Sequence, residues 1–97
     1  MIRHIVLFRV NDGTPPERIQ TAIDDLEALV GIVPGLRSLE AGADIGVEGN
    51  FDFGLVAELD DRAALDAFST DPRHIDLAMA ILEFRQPADI AILDLEI

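Results

Sequence analysis

The pattern of hydrophobic positions at the start of the chain predicts a β-strand with apolar residues on both faces. Residues 2–10, IRHIVLFRV, are rich in the β-branched and aromatic side chains that favour strands. One face of this strand carries the even-numbered residues, Ile2, His4, Val6, Phe8 and Val10. The other face carries the odd-numbered residues, Arg3, Ile5, Leu7 and Arg9. A strand in a sheet that is covered on one side alternates apolar and polar residues. We therefore expect this strand to be covered on both faces.

The segment after this strand predicts a turn and then an α-helix. NDG at 11–13 predicts a turn, and Thr14-Pro15-Pro16-Glu17 matches a capping box with Thr14 as the N-cap. Apolar residues then recur at the spacing of an α-helix from Ile19 to Val33, and the glycine and proline residues at 31–35 end the pattern.

The middle of the chain predicts a β-hairpin formed by residues 36–46 and 52–60. A glycine inside the first strand, Gly42, suggests a bulge or a close backbone contact. The apolar faces of the two strands comprise Leu39, Ala41, Ala43 and Ile45, and Phe53, Leu55, Ala57 and Leu59. A short polar link between the two strands is typical of a hairpin.

Two short helices and a final strand complete the pattern. Asp60 or Asp61 is the predicted N-cap of the first helix, and Asp71-Pro72 ends that helix and begins the second, with Asp71 as its N-cap. The predicted inward-facing residues of these helices are Leu65, Phe68, Ile75, Ala78, Met79 and Leu82. The segment 88–97, ADIAILDLEI, predicts a strand with apolar odd positions at Ala91, Leu93, Leu95 and Ile97.

The order β-α-β-β-α-α-β predicts one ferredoxin-like α+β domain over residues 1–97. Right-handed connections give a four-stranded antiparallel sheet with all helices on one face. The opposite face must then be covered by something else, and a second copy of the chain is the simplest cover. We therefore predict a homodimer formed through the sheet faces. Its predicted interface residues are Arg3, Ile5, Leu7, Arg9, Leu93 and Leu95, with the two arginines paired to carboxylates across the dimer.

Composition narrows the classes of partner. The net charge is −12, from 19 acidic residues against seven basic ones, and all seven are arginine. Such a surface repels phosphate groups, so we expect neither a nucleic-acid partner nor an anionic membrane. The chain has no cysteine, which excludes disulfides and thiolate chemistry. With no apparent leader or membrane-spanning run, we expect a soluble cytoplasmic protein.

Several segments together resemble the stress-responsive dimeric α+β barrel (Dabb) family. These segments are MIRHIVLFRV, VPGL, FGLVAELDDRAALDAF, DPRH and a hydrophobic final strand. The resemblance spans essentially the whole chain. It implies a homodimer whose two sheets pack face to face into a barrel, and a small apolar cavity between sheet and helices in each subunit.

The resemblance also implies roles for two histidines. In a cofactor-free polyketide cyclase of this family, a histidine at the start of the last helix is the general base, and its position matches His74. A histidine in the first strand matches His4. A tyrosine six residues before the base falls on Phe68, which keeps the shape of a pocket wall without the hydroxyl group.

The residues themselves leave two readings of the histidines open. His4 and His74 could border one apolar pocket as a proton-transfer pair, because a neutral imidazole accepts protons near pH 7. Alternatively, His74 bonds the Asp71 carboxylate at a helix cap and His4 is a buried ring. The other residues expected around the pocket are Val6, Phe8, Phe68, Asp71, Ala78 and Met79.

These observations predict a protein that binds a small apolar or aromatic molecule and needs neither metal nor cofactor. The leading hypothesis is a lyase or cyclase that acts on a polyketide-like or aromatic substrate, with His74 as base and His4 as its partner. The alternative is a non-catalytic small-molecule-binding or stress-associated module. A monooxygenase or isomerase is a third hypothesis, suggested only by other families that share the barrel.

Overall fold

Four strands form one antiparallel sheet, and three helices cover one of its faces. The computed structural model describes residues 1–97. The elements are β1 (Ile2–Val10), α1 (Pro16–Glu27), β2 (Leu36–Ala43), β3 (Phe53–Leu59), α2 (Arg62–Thr70), α3 (Pro72–Leu82) and β4 (Arg85–Glu96). The strand order is β2-β3-β1-β4. This is the predicted ferredoxin-like α+β topology.

The sheet register places the even residues of β1 under the helices. Val6 and Phe8 are buried there, whereas Leu7 is exposed on the opposite face. The predicted hairpin of β2 and β3 is also confirmed by their antiparallel pairing. The largest side chains of the core come from β1, β3, the three helices and the residue just before β4, and they include Phe8, Ile23, Leu26, Phe53, Leu59, Phe68, Ile81 and Phe84.

The capping box predicted for the first helix is wrong. Helix α1 begins at Pro16 with Pro15 as its N-cap, and no side chain caps it. The Thr14 hydroxyl instead donates to the Asn11 carbonyl at 2.6 Å. It closes the NDG turn, so it does not face the helix. The helix also ends earlier than the apolar pattern, although Leu29 and Val33 beyond it are still buried.

Strand β2 ends at Ala43, three residues before the predicted end. Ile45 was expected on the apolar face of the strand but is 93% exposed. The Asp44 carboxylate accepts the backbone N–H groups of Gly46 and Val47, and this local turn diverts the chain from the sheet. The irregularity in pairing lies between Leu36 and Ser38, not at Gly42.

Helix α3 presents a different face to the core than the apolar pattern predicted. Its buried and half-buried residues are His74, Leu77 and Ile81. The predicted stripe of Ile75, Ala78, Met79 and Leu82 is exposed. This helix is apolar on almost every side, so two stripes share the helical period and hydropathy does not distinguish them. Arg73, whose guanidinium donates to the Ile32 carbonyl at 3.2 Å, anchors the first turn of the helix in the observed orientation.

Candidate active site

His4 forms a hydrogen-bonded pair with an aspartate on the neighbouring strand. It lies on the helix-facing side of β1, directly opposite Asp94 of β4, and its Nδ1 is 2.5 Å from Asp94 Oδ1. An ionised carboxylate only accepts hydrogen bonds, so Nδ1–H of His4 donates and Nε2 keeps its lone pair. An imidazole held in this way by a carboxylate is the usual arrangement of a histidine general base.

The pair opens onto a cleft of about 630 Å³ between α2 and β4. The cleft exists because the helices do not extend over the outer half of β4. Ile92 is on the helix-facing side of the sheet, opposite Val6, yet it is 58% exposed. His4 has only 13% of its side chain exposed, so it is at the floor of the cleft. The lining residues are Met1, Ile2, His4, Asp61, Arg62, Leu65, Asp66, Ser69, Ile92, Asp94 and Glu96.

Phe68 separates the two histidines. Its ring is 1% exposed and contacts both imidazoles, with centroid distances of 6.2 Å to His4 and 4.4 Å to His74. The fold therefore brings both histidines to one aromatic ring, whereas the sequence-based expectation is that they border one apolar pocket. It does not place both in one cavity, because His74 is absent from the lining of the cleft.

His74 is held at the junction of α2 and α3. Its Nδ1 lies 3.3 Å from the Ser69 carbonyl, an acceptor that fixes Nδ1–H as the donor. Burial is the main cause that lowers the pKa of His74 below 6.5, and the positive form of His4 acts in the same direction. The Ser69 hydrogen bond and Asp71 oppose these effects. His74 is therefore neutral at pH 7.

The Asp71 carboxylate caps α3 as predicted, but it does not bond His74. It accepts from the backbone N–H of Arg73 at 2.9 Å and from the guanidinium of the same residue at 2.7 Å. The guanidinium contact is the main reason that the pKa of Asp71 falls to about 2. The reading in which His74 bonds the Asp71 carboxylate at this cap is wrong, because Arg73 occupies that carboxylate.

The remaining predicted pocket residues do not line the cleft beside His4. Val6 and Phe8 are packed in the core, whereas Ala78 and Met79 face outward from α3 because of its observed rotation. The prediction missed Asp94, although the sequence contains a signal for it. In ADIAILDLEI, Asp94 falls on the same strand face as Ile90 and Ile92, which makes it the first carboxylate after two aliphatic residues on that face.

The sheet face without helices is apolar. Leu7, Val56, Leu93 and Leu95 are exposed there, and Ile5 lies between Val56 and Leu93 in the register. The two arginines on this face pair within the chain, Arg3 with Glu58 at 3.2 Å and Arg9 with Asp89 at 3.0 Å. A second cleft, of about 540 Å³, lies on this face beside Leu7, Gly42 and Gly54.

No group of three or more histidine or carboxylate side chains converges in a way that could hold a metal ion. None of the three helices has the length and hydropathy needed to cross a membrane.

The fold and the whole-chain sequence pattern define the class. Residues 2–97 match the stress responsive A/B barrel domain, Dabb, so the chain belongs to this family. A dimeric ferredoxin-like protein of unknown function from Thermobifida fusca is 34% identical, with a TM-score of 0.87 over 99% of this chain and 90% of that one. An uncharacterized protein of Streptomyces coelicolor is 34% identical over 77 residues, which cover 76% of this chain and 79% of that protein.

A lower level of similarity relates the chain to an enzyme. Hydroxynitrile lyase from Passiflora edulis is 22% identical, with a TM-score of 0.83 over 99% of this chain and 92% of that one. Similarity at this level establishes a common fold.

Proposed function

We propose that the protein is a cofactor-independent acid–base enzyme of the lyase or cyclase type, acting on a small molecule in the cleft beside His4. The observation that carries this proposal is the His4–Asp94 pair, whose 2.5 Å contact lies at the floor of an open cleft. The enzyme from Passiflora edulis illustrates that this fold accommodates lyase chemistry, but a shared fold alone does not transfer a reaction.

The pair supplies the parts of a proton-transfer step. Nε2 of His4 takes a proton from a carbon next to a carbonyl group, and the resulting imidazolium returns it to the product. Asp94 orients the ring and stabilises the imidazolium, so His4 is the catalytic residue and Asp94 acts through it. Neither step needs an oxidant or a metal.

His74 is the second candidate for the base. It is neutral at pH 7 and its Nδ1 is occupied by Ser69, which leaves Nε2 as an acceptor. The geometry favours His4 because His4 lines the cleft and His74 does not. Separate alanine variants of the two histidines distinguish these roles.

We propose further that the active form is a homodimer joined through the helix-free sheet face. Exposed Leu7, Val56, Leu93 and Leu95 make this face apolar, and burial of such a face drives association. The relative from Thermobifida fusca is dimeric, which supports a dimeric state but does not identify the interface. Arg3 and Arg9 pair with carboxylates within the chain, so neither leaves an unpaired positive charge on this face.

Hydrogen–deuterium exchange tests the chemistry without knowledge of the natural substrate. Phenylacetone carries weakly acidic protons next to its carbonyl, and their exchange in D₂O is followed by proton NMR. We expect the protein to accelerate this exchange above the buffer rate, His4→Ala to abolish the acceleration, and Asp94→Asn to reduce it about 10²-fold. If exchange survives in His4→Ala and is lost in His74→Ala, the base is His74.

A non-catalytic binding module is the second candidate function, and Phe68 favours it. Its buried ring fills the space between the two histidines, so that no cavity joins them. A ligand that raises the melting temperature but never shows catalysed exchange would support this function and contradict the enzyme.

A further inference from the structure

The cleft beside His4 is rimmed by more negative than positive side chains. Asp61 and Asp66 lie on its α2 side, and Asp94 and Glu96 lie on its β4 side. The only arginine or lysine among its lining residues is Arg62. Four carboxylates against the Arg62 guanidinium and the α-ammonium group of Met1, which also lines the cleft, leave two net negative charges around the opening when His4 is neutral.

Two of these carboxylates have no partner within the chain. The Asp61 side chain accepts the Ala64 N–H at 2.8 Å as a helix cap, and Asp94 holds His4. The carboxylates of Asp66 and Glu96 take part in none of the side-chain hydrogen bonds or ion pairs of the chain, and they face the cleft from opposite sides.

The floor between these rims is apolar. Ile2 is buried below the cleft, Leu65 of α2 is half-buried at its side, and Ile92 of β4 presents more than half of its surface. The cleft therefore combines an aliphatic floor, a hydrogen-bonded histidine and two acidic rims.

We propose that this cleft selects a small organic cation, a protonated amine attached to an apolar or aromatic body, over a carboxylate of the same size. The inference rests on the proposed function for the location of the site and adds the class of its ligand. An ammonium group 4 Å from one carboxylate gains about fivefold in affinity even at the dielectric constant of water. An anion loses a comparable factor, and the net charge of −12 repels it during approach.

Two other ligand classes fit the cleft less well. A bare metal ion needs several converging ligands, and no three such side chains converge here. A carboxylate would have to reach either Arg62, which neighbours Asp61 in the chain and lies one helical turn from Asp66, or the Met1 α-ammonium group, which donates to the Ile97 carbonyl at 3.4 Å. A cation with a hydrophobic body uses both the rims and the floor.

Three near-isosteric probes test the selection: benzylammonium, benzyl alcohol and benzoate. Each is titrated into the ¹⁵N-labelled protein at pH 7 and low ionic strength, and the amide shifts of Leu65 and Ile92 report binding in the cleft. We expect the affinity to fall in the order benzylammonium, benzyl alcohol, benzoate, with about tenfold or more between the first and the last. Added salt should reduce this ratio.

Paired variants separate the effect of the rims from that of the net charge. Asp66→Asn with Glu96→Gln removes the two free carboxylates and should bring the three affinities to within about threefold of one another. Asp12→Asn with Glu48→Gln changes the net charge equally at exposed positions outside the cleft lining, and it should leave the preference for benzylammonium in place.

Three results would overturn the inference. Benzoate binding as tightly as benzylammonium overturns it, as does the absence of saturable shifts at Leu65 and Ile92 with every probe. Equal effects of the two paired variants would mean that only the net charge matters, which also overturns it. The readout is binding, so catalysed exchange of phenylacetone can fail while amine selection holds, and the reverse result is equally visible.

Discussion

At the residue scale, the central feature is the contact of Phe68 with both histidines. The ring is buried in the core, and the imidazole rings of His4 and His74 both pack against it. In the polyketide cyclase that the sequence resembles, a tyrosine takes this position. A hydroxyl added here would have to find a hydrogen-bond partner in an almost closed space, so the phenyl ring contributes packing and positioning.

Removal of the Phe68 ring should therefore be costly. We expect Phe68→Ala to lower the free energy of unfolding by about 3–5 kcal/mol, because it removes a fully buried aromatic side chain and leaves a cavity. Urea denaturation followed by circular dichroism measures this change. Phe68→Leu, which fills most of the space, should cost clearly less; an equal cost for the two variants would contradict the packing role.

The lowered pKa of His74 predicts a dependence of stability on pH. The unfolded chain binds a proton near pH 6.5, whereas the folded chain binds it at a lower pH. Protonation therefore favours the unfolded state, and the stability contributed by this group falls as the pH drops below 6.5. In His74→Gln this part of the fall should be absent. Urea unfolding of both proteins at pH 7.5 and pH 5.5 measures it; an unchanged pH dependence would contradict burial as the cause.

At the element scale, the structure separates what a local pattern determines from what it does not. The cap of α2 is Asp61, one of the two neighbouring aspartates that the sequence offers. The cap at Asp71 and the buried face of β3 follow from the sequence, because each depends on neighbouring residues. The rotation of α3 does not, because its Ile75–Met79 and Leu77–Ile81 stripes are both apolar. The choice between them depends on contacts with distant segments, including the Ile32 carbonyl.

The same limit applies to the candidate site. The sequence places His4 on the same face of its strand as Val6 and Phe8, but it does not determine which face meets the helices, because both faces are apolar. The pairing of His4 with Asp94 depends on the register between β1 and β4, strands at opposite ends of the chain. The cleft depends on how far α2 reaches over β4, which no local pattern reports.

The observed rotation of α3 makes a direct prediction. Ile81 is 2% exposed and Met79 is 59% exposed. We expect Ile81→Ala to destabilise the fold by about 2–5 kcal/mol and Met79→Ala to change stability by no more than about 0.5 kcal/mol. Thermal and urea unfolding of the two variants measure this difference. The opposite order would restore the stripe predicted from the sequence.

At the scale of the whole molecule, the helix-free sheet face is the basis of the proposed assembly. Its apolar residues come from three strands, and the helices of the same chain are all on the other side. In the proposed homodimer, a second copy covers this face without any further element. The prediction of an uncovered apolar face is confirmed, and the homodimer built on it remains a proposal.

A charge placed on this face should dissociate the dimer. Leu93 is 55% exposed on the helix-free face, and Ile92 is 58% exposed on the helix-facing side of the same strand. We expect Leu93→Asp to elute with the mass of one chain, 10.6 kDa, because an unpaired carboxylate is costly to bury. Size-exclusion chromatography with light scattering measures the mass. Ile92→Asp, the matched control, should remain a dimer; a Leu93→Asp dimer would contradict the interface.

Strand β4 contributes one face to the proposed dimer interface and the opposite face to the proposed ligand cleft. Asp94 faces the cleft, while Leu93 and Leu95 on either side of it face the proposed partner. Substitutions at even positions of this strand could diversify specificity across the family while subunit pairing persists, because neighbouring side chains point in opposite directions. A single-residue insertion or deletion would exchange the two sets and abolish both properties at once. Evolution should therefore accept many point changes in this strand but almost no change in its length.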